Sequence, residues 1–274
     1  MTLADIQSEI DSRGIGLDEV GISGLRYPVS VFDAEQGKQD TVATVALSVS
    51  LPPEQKGSHL SRFVEVIDDY AGELTPQTIP RLLRSLQERL DSPTARLQVS
   101  FPYFVRRHAP ISKGSALIDY SCGFAASVRG DQFHLVLSAG VPVTSVCPCS
   151  KAISDYGAHN QRGYLTIDAV PATNEEGQFA SIWMEDLIDA AEASASSPVF
   201  PLLKRADERH VTMLGYDQPV FVEDMVRAVA DRFRSDPRIE RFSVEAINDE
   251  SIHNHGAFAR LVWPPTTGGE SGRW

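Results

Sequence analysis

Hydrophobic and polar positions fall into one order of runs that occurs twice along the chain. RYPVSVFD and TVATVALSVSLP are rich in strand-forming residues and are joined by the turn-like AEQGKQ, so they predict two strands. HLSRFVEVIDDYAG places Leu60, Phe63, Val66, Ile67 and Tyr70 at helical spacing. TIPRLLRSLQERL predicts a second helix, with Thr78 as cap, Pro80 in the first turn, and Leu82, Leu83, Leu86 and Leu90 along one face. ARLQVSFPYFV and ALIDYSCGFAASV then read as two more strands.

The second half repeats the order. QFHLVLSAGVPV and GYLTIDAV predict strands, with a long loop between them. SIWMEDLIDAAEAS and PVFVEDMVRAVADRFRS predict helices, the second with Asp217 as a plausible cap. RIERFSVEAIN and GAFARLVWP close as strands. The pattern predicts an α+β fold, an antiparallel sheet with helices on one face. It divides the chain into an N-terminal extension at 1–20, a first ββααββ unit at 21–129, a second at 130–265, and a tail at 266–274. Tracing the second unit strand by strand puts 144–162, 196–217 and 248–255 at one end of it.

Composition narrows the function. The net charge of −12 argues against a sequence-independent nucleic-acid binder, which needs a basic face. No apolar run approaches the ~18 residues of a membrane span. The opening stretch has no apolar signal region, and three cysteines form an odd set, so a reducing cytoplasm is the expected setting. Bridging Cys147 to Cys149 would strain the ring, so no disulfide is expected there.

The three converging segments hold most of the candidate chemistry. The first carries Cys147, Cys149, Lys151 and His159. The second carries Lys204, Arg205, Asp207, Glu208 and His210. The third carries Asp249, Glu250, His253 and His255, and Glu223 with Asp224 opens the last helix just below. Taken singly, each has a bland reading: a buried thiol, a solvated carboxylate, an inert surface imidazole. Together they make the thiolate, imidazole and carboxylate set of zinc and its divalent neighbours, in the mixed form that suits three protein ligands and an open position. KGSHLSRF adds His59 and Arg62 as a helix-start phosphate contact, against simple capping by Ser58.

PVTSVCPCSKAISDYGAHNQRG, LLKRADE, FVEDMVR, NDESIHNHGAFA and KGSHLSRF together resemble the type IB GTP cyclohydrolases, from about residue 20 to 263. The resemblance implies tandem tunnelling-fold (T-fold) units in an oligomeric barrel, a homotetramer with sites at subunit interfaces. It implies hydrolysis of GTP with water to formate and 7,8-dihydroneopterin triphosphate, at a divalent metal that is Mn, Zn or Fe. Carried over by position, Cys147, His159 and Glu208 match metal-binding residues, and Glu250 and His253 match positions on or near the metal. Glu223 matches the purine anchor, while Cys149 and His255 match other site residues. Ala152, Ser58, Leu60 and Gly256 depart from the family's Glu, Thr, Met and Asp, and none is a proposed ligand.

In that setting Cys147, Cys149, His253 and His255 are the expected catalytic groups. Lys151 and Arg205 are expected to meet the triphosphate, alongside Arg162 and Lys204, and Arg62 or His59, which lie at the opposite end of their own unit, are expected to reach it from a neighbouring subunit. Two alternatives stand beside it: a cysteine-dependent nitrile reductase of the same fold using NADPH, and a non-catalytic purine- or metal-binding protein.

Overall fold

Alternation of buried and exposed side chains builds the strands of the computed structural model, which describes residues 7, 9–35 and 37–264. The expected tail at 266–274 lies outside the described residues, as do 1–6 and 8 of the expected extension. In chain order the elements are β1 (Leu17–Asp33), β2 (Gly37–Leu51), α1 (Leu60–Tyr70), α2 (Ile79–Leu90), β3 (Thr94–His108), β4 (Ser115–Arg129), β5 (Gln132–Val146), α3 (Pro148–Ile153), β6 (Asn160–Pro171), α4 (Met184–Ser194), β7 (Ser197–Pro198), α5 (Arg205–Asp217), α6 (Val222–Phe233), β8 (Ile239–Asp249) and β9 (Ala257–Trp263). The expected order of strand, strand, helix, helix, strand, strand runs through β4. It recurs from β5 with α3, β7 and α5 added, so the segment read as a loop at 196–217 contains a helix. β1 starts at Leu17, ahead of the RYPVSVFD run.

Two compact units share these elements. The first holds residues up to Phe101 together with Gly123–Val136, and the second holds Pro102–Cys122 with everything from Leu137. In the first, β1 and β2 pair antiparallel, Tyr27 opposite Ala43, and β2 continues onto β3 with Leu47 opposite Leu97. Along β2, Ala43, Val45, Leu47, Val49 and Leu51 are buried while the residues between them are not. That period of two sends one face to the core. α1 and α2 cover it with Phe63, Val66, Ile67, Leu82, Leu83 and Leu86, all fully buried. Each such side chain contributes about 1.5–3 kcal/mol relative to exposure.

The caps differ from expectation. Thr78 occupies the N-cap of α2, but its hydroxyl donates to the Glu73 carbonyl at 2.6 Å and accepts from the Thr75 N–H at 2.9 Å, closing the preceding turn instead. His59, not Ser58, is the N-cap of α1, and the buried Ser58 hydroxyl has no partner among the described residues.

Gly21 stands where no side chain fits. A Cβ there would lie 1.9 Å from the Leu47 carbonyl oxygen, next to an irregularity in the β1–β2 register after Ile22. Gly21→Ala is expected to cost about 1–3 kcal/mol by overpacking, read as a lower urea midpoint at unchanged slope. An unmoved midpoint would contradict the close approach.

In the second unit β5, β6, β8 and β9 pair antiparallel in that order, and β7 adds to β5 through Val143 opposite Pro198. α4 packs on β6, β7 and α6, and α6 packs on β8 and β9. Arg107 on β3 ties α4 in place, at 2.8 Å from Asp189 and 3.0 Å from Glu192. α4, α5 and α6 begin alike. In each, an aspartate at the third helical position accepts the N–H of the N-cap residue: Asp186 from Trp183 at 3.0 Å, Asp207 from Lys204 at 2.9 Å, and Asp224 from Phe221 at 3.1 Å. This is the backward half of a capping box, and a carboxylate there also suits the positive helix end. Asp217, expected to cap the last helix, is instead the final residue of α5.

Among the described residues no helix is long and apolar enough to cross a membrane.

Candidate active site

The CPCS loop is shut at its base by backbone. β5 and β6 pair up to Val146 opposite Asn160, and the next N–H, that of Cys147, donates to the His159 carbonyl at 3.1 Å. Pro148 then opens α3, where its missing N–H costs nothing. Ser150 locks the loop. Its N–H points at Cys147 Sγ at 3.4 Å, its hydroxyl donates to the Cys147 carbonyl at 3.3 Å, and the same oxygen accepts the His159 N–H at 3.0 Å. Cys147 is half-buried and Cys149 exposed, and both thiols are free. Cys122 is a buried core thiol, pushed far above the usual range by burial.

The third loop reaches the same histidine. β8 lies beside β6 with Asp249 opposite Arg162, so residues 250–256 emerge next to the start of β6. The Ser251 hydroxyl sits 3.3 Å from His159 Nδ1. Glu250 is half-buried, and His253 and His255 are exposed. The last two rings stack, centroids 5.2 Å apart and planes 19° from parallel.

α5 brings the second segment. Its first turn is anchored by Asp207, which is fully buried. That carboxylate accepts the N–H groups of Ile111 and Ser112, each at 2.8 Å, and the Ser112 hydroxyl at 2.6 Å. Burial alone would raise its pKa; the hydrogen bonds from Ser112, Lys204 and Ile111 outweigh that and hold it well below the usual carboxylate range. Arg205 and Glu208 are exposed on the same turn. At the far end of α5, Lys151 donates to the Tyr216 carbonyl at 2.5 Å and lies over the Tyr216 ring at 4.2 Å. So α5 runs from the β3–β4 loop to α3. Glu223 is exposed in the first turn of α6, whose approach is fixed by the Val220 N–H donating to the Val146 carbonyl at 3.1 Å.

A depressed pKa adds stability that is present above the unfolded value, about 3.9, and is lost as pH falls through the lower folded value. Asp207→Asn is therefore expected to lower Tm at neutral pH and to flatten the fall in Tm below about pH 4. Equal losses for wild type and variant across that acid range would contradict the anchor.

The expected convergence of 144–162, 196–217 and 248–255 is met. Cys147, His159 and the 250–256 loop join at His159, Ser196 Oγ accepts the Val146 N–H at 3.0 Å, and α5 closes on α3. Among the described residues, however, no three His, Cys, Asp or Glu side chains are gathered so as to hold an ion as they stand. Cys147 and His159 are fixed by backbone, whereas Glu208 and His253 are exposed. His59 and Arg62 belong to the first unit, where Arg62 donates to the Arg89 carbonyl at 2.6 Å. The buried partner of His159, Gln161, was not singled out from sequence; the signal is a spacing of two across the start of β6, which puts both on one face.

A family model described as type I GTP cyclohydrolase folE2 matches residues 3–259. Curated relatives named GTP cyclohydrolase FolE2 include one from Magnetococcus marinus, 44% identical over 259 residues and covering 94% of this chain and 95% of that one. Another, from Nitrosomonas eutropha, is 46% identical over 260 residues, covering 94% and 95%. Among solved structures, uricase from Arthrobacter globiformis superimposes with a TM-score of 0.52 at 10% identity over 94% of this chain and 97% of that chain. Urate oxidase from Bacillus sp. TB-90 gives 0.51 at 10% identity over 89% and 98%. Those two likenesses speak to the fold alone. By sequence, over nearly its full length, this chain belongs to the type I GTP cyclohydrolase FolE2 family.

Proposed function

We propose that the chain is a metal-dependent GTP cyclohydrolase, converting GTP and water to formate and 7,8-dihydroneopterin triphosphate on the way to tetrahydrofolate. Membership of the FolE2 family supports the reaction. The observation that carries the site is the meeting at His159, where the Cys147 backbone and the loop bearing Glu250 and His253 arrive together.

The donor set fits a divalent ion. Among the described residues Cys147 Sγ receives a long N–H contact from Ser150, and His159 is held through Nδ1, which leaves Nε2 to coordinate. Cys147, His159 and Glu208 would hold the ion, with Glu250 and His253 on or near it; the thiolate and imidazole suit Zn or Fe, and the carboxylates suit Mn. When bound, the ion supplies Lewis acidity that brings the pKa of a water from 15.7 toward ~7.

The chain's own groups do the rest. Glu223 presents two acceptor oxygens to the N1–H and exocyclic amine of guanine, fixing C8 relative to the loops. His253 and His255 carry protons: two waters add in turn at C8, each of the two C8–N bonds breaks with a proton delivered to its departing nitrogen, and formate leaves. The ribose then rearranges and its carbonyl carbon condenses with the freed amine, returning one water, and imidazole can move these protons near neutrality. Cys149, exposed on α3, is the remaining proton-transfer group. Arg205 and Lys151 supply positive charge for the triphosphate in an acidic protein, with Lys151 first leaving the carboxyl end of α5, and Arg62 or His59 of a neighbouring subunit adds a further phosphate contact. Assembly as a homotetrameric T-fold barrel in the cytoplasm completes the reading.

Incubation of the Mn-, Zn- or Fe-loaded protein with GTP, followed by oxidation, is expected to give a fluorescent pterin. Consumption of NADPH with a nitrile and no pterin would support the reductase instead. GTP bound but recovered intact would support a non-catalytic binder.

A further inference from the structure

We infer that Gln161 is a positioning residue that fixes which nitrogen of His159 is offered to the divalent ion, and that the choice is imposed from the Val220 carbonyl. The inference rests on the reading of His159 as a ligand.

The argument is one of hydrogen-bond direction. The Val220 carbonyl can only accept, so the single hydroxyl hydrogen of Ser145 goes to it, at 3.0 Å. Every other bond to Ser145 Oγ must then arrive as a donor. Two do: Gln161 Nε2 at 3.3 Å and Asn248 Nδ2 at 3.2 Å. With its nitrogen committed to Ser145, Gln161 turns Oε1 toward His159 Nδ1 at 2.9 Å. Oε1 is an acceptor only, so Nδ1 carries the hydrogen and Nε2 keeps its lone pair. The Ser251 hydroxyl, 3.3 Å from the same Nδ1, is placed to accept that hydrogen as well.

The relay is dry and its register is built in. Ser145, Asn248 and Gln161 are 0%, 2% and 7% exposed, so water does not compete for these bonds. Ser145 lies opposite Gln161 in the β5–β6 pairing, and Asn248 lies opposite Gly163 in the β6–β8 pairing. Gly163 is what lets Asn248 in, since a Cβ there would come within 2.7 Å of Asn248 Oδ1. That Oδ1 is buried without a partner among the described residues. The opposite amide orientation would aim an acceptor at an oxygen whose hydrogen is already used. The network thus accepts one unpaired oxygen to keep its direction.

The test uses the full chain without metal, labelled with 15N, and long-range proton–nitrogen spectra at pH 8. The His159 signal is assigned by its loss in His159→Gln. Wild type is expected to show His159 as the Nδ1–H tautomer. Gln161→Met, which cannot accept, is expected to move it toward the Nε2–H form that dominates in water and to weaken Mn²⁺ binding by about 10–100-fold. Gln161→Glu, which restores the acceptor, is expected to recover the Nδ1–H tautomer, and it serves as the probe should the methionine variant fail to fold. An Nε2–H tautomer in wild type, or an unchanged tautomer in Gln161→Met, overturns the relay. A shifted tautomer with unchanged Mn²⁺ affinity overturns His159 as a ligand, and the positioning role with it.

Discussion

Cys147→Ala is expected to lose its divalent ion and at least about a thousandfold in kcat/KM. In the proposed site its sulfur is a donor that no neighbouring side chain among the described residues replaces. Cys149 lies beyond Pro148 on an exposed turn, and the thiol of Cys147 alone sits at the point where β5 is stitched to His159. Without the ion, the shift of a water's pKa from 15.7 toward ~7 is forfeited, and most of the acceleration with it. The backbone should survive the change, because the bonds that shut the loop use the Cys147 N–H and carbonyl, not its sulfur. Metal analysis and steady-state kinetics read the result. Cys149→Ala is the matched comparison and should retain the ion while losing turnover. Full turnover with bound metal in Cys147→Ala would exclude the sulfur as a ligand.

Glu223→Gln is expected to lower kcat/KM for GTP by about a hundredfold. A carboxylate offers an acceptor to each of two donors on the guanine edge, and the amide turns one of those contacts into donor against donor. A hydrogen bond to a charged group is worth about 1.5–3 kcal/mol, and 1.4 kcal/mol is tenfold. The substitution is nearly isosteric on an exposed helical turn, and the cap of α6 belongs to Asp224 rather than to Glu223, so folding should not suffer. ITP, which lacks the exocyclic amine, sharpens the test: wild type should prefer GTP to ITP, and the variant should prefer it less. Unchanged discrimination between the two would remove Glu223 from the guanine edge.

How much of this was legible in the sequence depended on whether a segment's signal was its own. α1, α2 and α6 were visible because each buries a stripe at helical spacing, such as Val222, Met225, Val226, Val229 and Phe233 in α6. α5 was not, because only Asp207 and Gly215 of its thirteen residues are buried and no apolar stripe forms. What holds it is the tertiary anchor of Asp207 on Ile111 and Ser112, about a hundred residues earlier. α3 was hidden for a similar reason, being six residues long with none buried. The start of α6 was misplaced because the cap is made backward, by Asp224 onto the Phe221 N–H, while Asp217 closes the preceding helix.

The site divides in the same way. Its convergence at one end could be traced from strand and helix order alone; the loop between two paired strands offered Cys147, Cys149 and His159 together, and only the family resemblance singled out Cys147. The polar relay behind His159 could not be seen. Ser145, Gln161 and Asn248 are ordinary strand residues until the β5–β6 and β6–β8 registers bring them together. Glu208 and His253 have no such register behind them, since both are exposed.

The most direct measurement follows the carbon that the reaction removes. GTP labelled with 13C at C8 is incubated with the metal-loaded protein, then with the protein stripped by a chelator, then with the ion restored. The account predicts labelled formate in step with the pterin, its loss on chelation and its return with the ion. Labelled C8 retained in the purine with each of Mn, Zn, Fe and Mg would contradict it.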